Sequence, residues 1–249
     1  MKEIQDKLIE LKSLGVVGIK QSTEDEGALH QDIAMIRDIT RSCGLKLSVK
    51  IGGCEANTDI SFCDFINVDG IVAPMVESEF ALQKFTESVS QVEDTNFYVN
   101  IESSTAAENI QKILESSAFK VLDGIVVGRS DLAKSYGYGK GMVDSPQMQK
   151  KVCEVLTACK SAGSITLMGG NINAKSTSFI ERLYANNLLD FIETRNVIIK
   201  LDDNNTKNLL KVIREALIFE SLWLEFKANK YLRCGTQYKS RAKEIKERL

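Results

Sequence analysis

Apolar and polar positions along the chain follow a repeating alternation. Short β-branched runs at 16–22, 45–52, 70–76, 97–103, 124–130, 164–170 and 189–199 end in polar or glycine-rich triplets, and most give way to helical periodicity. The centres of these runs are almost continuously apolar, as in parallel-sheet strands buried on both faces. Between them, 29–42 sets Ile33, Ile36 and Ile39 on one side, and 79–89 does the same with Phe80, Leu82, Phe85 and Val89. The segments 106–114 and 147–162 repeat the pattern with Ile110, Ile113 and Leu114, and with Val152, Val155 and Leu156. Asp144-Ser145-Pro146 opens the latter with a capping residue and a proline at its first position. Segments 176–186 and 205–231 complete the helices.

Strand–helix alternation over the whole chain predicts a parallel α/β fold. The 249 residues contain no Gly/Ser/Pro-rich linker and no low-complexity tract. The expectation is one domain, 1–249, folded as a TIM-type (β/α)8 barrel with a C-terminal helical extension over about 205–249. Only seven strands are visible and the chain opens on a helix at 3–13, so the first strand is expected to be missing or degenerate. Phe219, Leu222, Trp223, Leu224 and Phe226 cluster on the last helix, for packing within the chain or against a neighbouring subunit. Residues 239–249 read as a charged, solvated helix with little apolar face.

Composition narrows the function. Lys and Arg number 32 against 34 Asp and Glu, a net charge of −2, which lacks the basic excess of a dedicated nucleic-acid or membrane-surface binder. No apolar run is long enough to cross a bilayer and the N-terminus has no signal-peptide block, so a cytoplasmic protein is expected. Six cysteines with no CxxC pair read as reduced, mostly buried thiols. A single histidine, His30, excludes sites that need two, such as HExxH zinc chemistry. Any acid–base or metal chemistry then rests on carboxylates, lysines and backbone.

Active sites of such folds form at the carboxyl ends of the strands. Those ends carry Glu24-Asp25-Glu26, Lys50 before Gly52-Gly53, Glu77, Glu102, Gly128-Arg129-Ser130-Asp131, Gly169-Gly170 and Glu193-Thr194-Arg195. Charge and glycine gathered at one mouth mark a candidate site. Glu102 and Asp131 end neighbouring strands and can share one hard cation, or serve as helix-terminal carboxylates. Lys50 can bind a substrate carboxylate or snorkel from its strand. Glu24 or Glu26 can act as a general base, or complement the dipole of the next helix. His30 reads as a surface or packing residue.

Read together, Gly70-Ile-Val-Ala-Pro-Met-Val-Glu77, Ile101-Glu102-Ser103-Ser104-Thr105-Ala106 and Asp123-Gly-Ile-Val-Val-Gly128-Arg-Ser-Asp131-Leu132 resemble the HpcH/HpaI aldolase and citrate lyase β-subunit family of the phosphoenolpyruvate/pyruvate barrel superfamily. The resemblance implies Mg²⁺ (or Mn²⁺) on Glu102 and Asp131, acting on the enolate of a pyruvate- or oxaloacetate-like keto acid. It implies that amides of 128–131 (Gly128, Arg129, Ser130) help hold the substrate carboxylate. It also implies a homo-oligomer, trimer or hexamer, built through C-terminal helices. Two departures stand out. Lys50 occupies the place of the family's keto-acid arginine, and Glu24-Asp25-Glu26 stands where its histidine base is expected. Arg129 and Arg195 add cations, which points to a more anionic substrate.

Three functions are compatible with these residues. One is a metal-dependent carbon–carbon lyase or aldolase with Lys50, Arg129 and Glu24 or Glu26 as catalytic groups and Lys50, Arg129 and Arg195 holding substrate. A second is a condensing enzyme using the same enolate. The third is a non-catalytic barrel for ligand binding or assembly. No nucleic-acid or membrane partner is expected.

Overall fold

A computed structural model describes residues 1–24 and 26–249. Eight strands close into one barrel in chain order. They are β1 (Val16–Ser22), β2 (Lys46–Lys50), β3 (Gly70–Ala73), β4 (Asn96–Ile101), β5 (Gly124–Gly128), β6 (Ile165–Gly169), β7 (Phe191–Glu193) and β8 (Val197–Lys200). The helices are α1 (Lys2–Ser13), α2 (His30–Cys43), α3 (Asn57–Phe65), α4 (Glu79–Ser88), α5 (Ser104–Glu108), α6 (Ile110–Glu115), α7 (Arg129–Ser135), α8 (Pro146–Ser161), α9 (Thr177–Ala185), α10 (Asp203–Thr206) and α11 (Leu209–Lys246). No helix among the described residues is long and apolar enough to cross a membrane.

Strands β1 to β7 run parallel, as the sequence predicts. The gap left by the absent first strand is closed in an unusual way. The run expected as one strand at 189–199 breaks at Thr194–Asn196 into a tight hairpin, and Thr194 N–H donates to the Val197 carbonyl at 3.0 Å. Its second arm, β8, is antiparallel to both β7 and β1 and completes the barrel. The hairpin tip therefore joins the mouth formed by the carboxyl ends of β1–β7.

Strand alternation separates two cores. Outward residues such as Ile19, Val49, Ile71, Val99, Ile125, Met168 and Ile192 pack against the helices in one large cluster. Inward Val72, Val126 and Leu167, with Tyr98 and Phe191, form a small plug inside the barrel. At the amino ends, one device recurs. Asp69, Asp123 and Asp190 each precede a strand and accept the backbone N–H of a residue on the preceding one, Leu47, Phe97 and Thr166, at 2.8, 2.7 and 2.8 Å. These carboxylates lock strand register. Asp69 also pairs with Arg37, and Asp190 with Lys160 at 2.5 Å.

The helix caps follow sequence. Ser145 caps α8 by accepting from Met148 N–H at 3.3 Å, with Pro146 at the first position. The sequence reading has no helix at 57–65, because only Ile60 and Cys63 of α3 are buried and the apolar periodicity is faint. The long helix α11 begins at the amino-end face, since β8 runs down to it, and rises past the mouth. Phe219 and Trp223 are buried, with Leu222 and Phe226 packed beside them, whereas Leu224 faces outward at 53% exposure.

Candidate active site

Glu102 directly follows β4 and is only 4% exposed. Its Oε1 accepts the Met75 N–H at 3.1 Å, and its Oε2 accepts the Asn100 side-chain amide at 2.9 Å. A β-carbon on Gly128 would fall 2.8 Å from both Cβ and Oε2 of Glu102, so glycine at the end of β5 makes room for this carboxylate. Burial pushes the Glu102 carboxyl above its ordinary range, and the nearby Asp131 charge adds to that; Lys50 and the two donated hydrogen bonds pull it back. Lys50 of β2, Glu102 just beyond β4 and Asp131 in the first turn of α7 thus share one electrostatic neighbourhood. Glu102 does not cap α5. That role falls to Ser103, which accepts from Ala106 N–H at 3.1 Å.

Two buried oxygens on the inward side of the mouth, Asn100 Oδ1 and Ser22 Oγ, have no hydrogen-bond partner. Orphaned polar atoms of this kind ask for water or ligand. Glu102, Asp131 and the neighbouring Asn100 Oδ1 offer an all-oxygen donor set, which fits a hard divalent cation that retains waters. No group of three or more His, Cys, Asp or Glu side chains gathers around a metal-sized site among the described residues. A cation here would complete its shell with water and substrate.

A second buried charge pair lies deeper. Lys20 of β1 forms an ion pair with Glu193 of β7, with side chains 12% and 4% exposed. Glu193 is accommodated by Gly169, where a β-carbon would lie 2.9 Å from its Cγ. Lys20 is absent from the candidates that sequence supplies. Its signal is a lysine at an inward position, directly after the apolar start of the strand, in Val16-Val-Gly-Ile-Lys20-Gln-Ser22.

Around the rim, Glu26 accepts from Asn196 Nδ2 at 2.8 Å and lies 3.8 Å from Arg195 Nε, so the hairpin tip closes over the loop after β1. Burial raises the Glu26 carboxyl, against the pull of Asn196, Arg195, Lys20 and Lys227. Glu24 is exposed and sits over Gly52, where a β-carbon would meet its Cγ at 2.9 Å. Asp25 lies outside the described residues. Asp59 ties this rim together by accepting from Thr23 Oγ1 at 2.7 Å and Gly52 N–H at 2.9 Å. His30 stands 3.6 Å from Asp59 and stacks on Phe62 with ring centroids 4.0 Å apart.

Arg129 departs from its expected role. It is fully buried, and its guanidinium donates to the carbonyls of Gly169 and Gly170 at 3.2 and 2.9 Å, to Ser176 Oγ at 3.2 Å and to Asp144 at 2.6 Å. Those acceptors engage the donors expected to hold substrate, so Arg129 is a clamp between β6 and the α7–α8 segment. The structure therefore places Arg129 in the packing behind the mouth, whereas the sequence reading expects a catalytic and substrate-binding cation. Ser130 is exposed, and its N–H abuts Gly170, where a β-carbon would lie 2.5 Å away. Arg195 remains an exposed cation at the rim, with 58% of its side chain accessible.

The model of the HpcH/HpaI aldolase/citrate lyase family matches residues 32–179, more than half the chain. The chain belongs to this family. Its members are aldolase- and lyase-type enzymes, and Glu102 and Asp131 both lie within the matched stretch. No curated protein sequence matches the chain. Among solved structures, it is similar to an HpcH/HpaI aldolase from Desulfitobacterium hafniense, at 14% identity and a TM-score of 0.63, covering 78% of this chain and 82% of that one. It is similar also to the citrate synthase SbnG, at 15% identity and a TM-score of 0.64, covering 92% and 89%. A family protein from Burkholderia cenocepacia gives 16% and 0.63 over 86% and 89%. At these identities the likeness establishes the barrel.

Proposed function

We propose that the barrel mouth is the active site of a divalent-metal-dependent carbon–carbon lyase or aldolase that acts on a pyruvate- or oxaloacetate-like 2-keto acid. The observation that carries this reading is the buried Glu102, set between Lys50 and Asp131 and left without a capping task. A carboxylate held in that state gains from a cation. Glu102 and Asp131 would hold Mg²⁺ or Mn²⁺, with Asn100 Oδ1 beside them. Bound there, the ion supplies Lewis-acid stabilisation of the charge that develops on the keto oxygen as the bond breaks.

The chain's own residues do the rest. Lys50 offers a point charge to the substrate carboxylate, a contact with less directional demand than a bidentate arginine. The Lys20–Glu193 pair fixes a neutral floor beneath the site, so the carboxylate of Glu193 does not repel an anionic substrate. Glu26, held by Asn196 and raised by burial, exchanges the proton that cleavage moves; Glu24 lies on the same loop. Arg195, exposed on the hairpin tip, remains available for a second anionic group, which favours a dicarboxylic or phosphorylated substrate.

The test is release of pyruvate or oxaloacetate from candidate hydroxy-keto acids with Mg²⁺ present. Glu102→Gln or excess chelator should abolish it. Full activity of Glu102→Gln under chelation would overturn the proposal. The same site run in reverse would make a condensing enzyme, a reading favoured by the similarity to a protein described as a citrate synthase. Product analysis with oxaloacetate and acyl donors separates the two.

A further inference from the structure

Two buried acids flank a pair of glycines at the mouth. Gly128 of β5 and Gly169 of β6 are register partners. Glu102 crowds Gly128 and Glu193 crowds Gly169, so closely that a β-carbon on either glycine would fall 2.8 or 2.9 Å from the acid's side chain. Glu102, Gly128, Gly169 and Glu193 thus form one row across β4–β7. The two positions without side chains between the acids leave room for a ligand. One inward position beneath the glycines lie Val126 and Leu167 of the apolar plug.

Lys20 reaches this row through its ion pair with Glu193. A buried ion pair seldom adds stability over an apolar pair of similar size. Apolar residues here would only extend the plug, so the charges call for a use. The neighbours of Lys20 show which. Asn196 Nδ2 donates to the Lys20 carbonyl at 3.0 Å and to Glu26 Oε2 at 2.8 Å, so the hairpin tip ties Glu26 to the Lys20 segment. The Lys20 charge also acts on the Glu26 carboxyl. Asn196 Oδ1 and the Oγ of Ser22, the next inward residue of β1, are buried without a hydrogen-bond partner. Unmet polar atoms of this kind suit a space meant for substrate and water. A lysine ammonium brings protons to that space.

We infer that Lys20 is the acid that protonates the enolate carbon, with Glu193 as the positioning residue that holds its ammonium toward the two-glycine gap. This rests on the reading of the mouth as a keto-acid lyase or aldolase. In that reaction the substrate hydroxyl gives its proton to Glu26 and becomes the carbonyl of the leaving fragment. The carbon–carbon bond breaks, and its electron pair stays on the keto-acid fragment as the enolate. The Lys20 ammonium gives one proton to the enolate carbon and forms the new C–H bond of the keto-acid product. The neutral Lys20 amine then takes up the proton held by Glu26, and both groups are restored.

The test is exchange of the methyl protons of pyruvate in deuterium oxide with Mg²⁺ present, followed by proton NMR. Wild type should exchange them, because forming and reprotonating the enolate needs no second substrate. Lys20→Arg keeps a cation opposite Glu193 but a guanidinium does not give up its proton, so exchange should fall about 10²-fold or more. Lys20→Met/Glu193→Gln removes both charges, leaves no unpaired carboxylate and should lose as much. Calorimetry should show both variants binding Mn²⁺ as wild type does, and urea titration should show both folded. Exchange in Lys20→Arg at the wild-type rate would overturn the role of Lys20 and leave the lyase reading standing. Loss of Mn²⁺ binding or of the fold in both variants would make Lys20 structural and overturn the inference as well. No exchange by the wild type would overturn the reading, and the inference with it.

Discussion

The two ends of the barrel carry acidic residues next to glycines in similar sequence settings, yet they use them differently. At the amino ends, Asp69, Asp123 and Asp190 each spend an oxygen on a neighbouring strand's N–H, and two of them also meet a cation from a helix. Their work is register. At the carboxyl ends, Glu102 sits buried against Gly128 with Lys50 and Asp131 around it, and orphaned oxygens of Asn100 and Ser22 lie close by. The lesson is that a charge at a strand end does not identify a site. What distinguishes the mouth is a raised, buried carboxylate beside acceptor oxygens that the fold leaves without a donor.

Arginine and lysine at the mouth sharpen the contrast. Arg129 looks like a substrate cation in sequence but behaves like the amino-end aspartates, with its donors consumed by the fold. The largest predicted effect separates the classes by activity. Glu102→Gln should keep the fold and lower turnover by about 10³-fold, equivalent to ~4 kcal/mol of transition-state stabilisation. Steady-state kinetics beside a denaturation curve reads both quantities. Next, Arg129→Leu should lower unfolding free energy by about 3 kcal/mol, because Asp144 and two carbonyls lose their donor. Urea titration measures it. If Arg129→Leu folded normally and lost only substrate affinity, the assignment of Arg129 to the fold would be wrong. Smaller still, Asp123→Ala should cost about 1–2 kcal/mol by stranding the Phe97 N–H, with kcat/KM unchanged once the protein is folded.

Much of this was legible from the chain. Continuous apolar runs and helical periodicity reveal the parallel strands, and strand ends locate the mouth. One failure has a physical cause. Residues 189–199 read as one strand because both arms of the hairpin are apolar, and only the polar Thr194-Arg195-Asn196 step hints at the reversal that closes the barrel. Lys20 and Arg129 illustrate a deeper limit. Whether a cation in a strand or at its end serves the fold or the substrate depends on partners such as Glu193, Asp144 and Gly170, which lie far away in sequence and adjacent only in space.

The smallest predicted effect concerns the rim, where Glu26 falls between the two classes. It is hydrogen-bonded, like the amino-end aspartates, yet burial raises its carboxyl, as at Glu102. A raised folded-state pKa means that the folded protein holds this proton more tightly than the unfolded chain does. Ionised Glu26 therefore opposes folding above its folded pKa, and that cost disappears as pH falls into the ordinary carboxylate range. Glu26→Gln keeps an acceptor for Asn196 and removes the charge. The variant should be more stable than wild type near neutral pH, with the gap closing as the medium is acidified, in urea titrations across that range. If Glu26 also moves the proton in catalysis, the acidic limb of wild-type kcat/KM should lie above the ordinary carboxylate range and vanish in Glu26→Gln. A purely structural Glu26 would change the stability profile and leave that limb in place, moving the residue into the class of the amino-end aspartates.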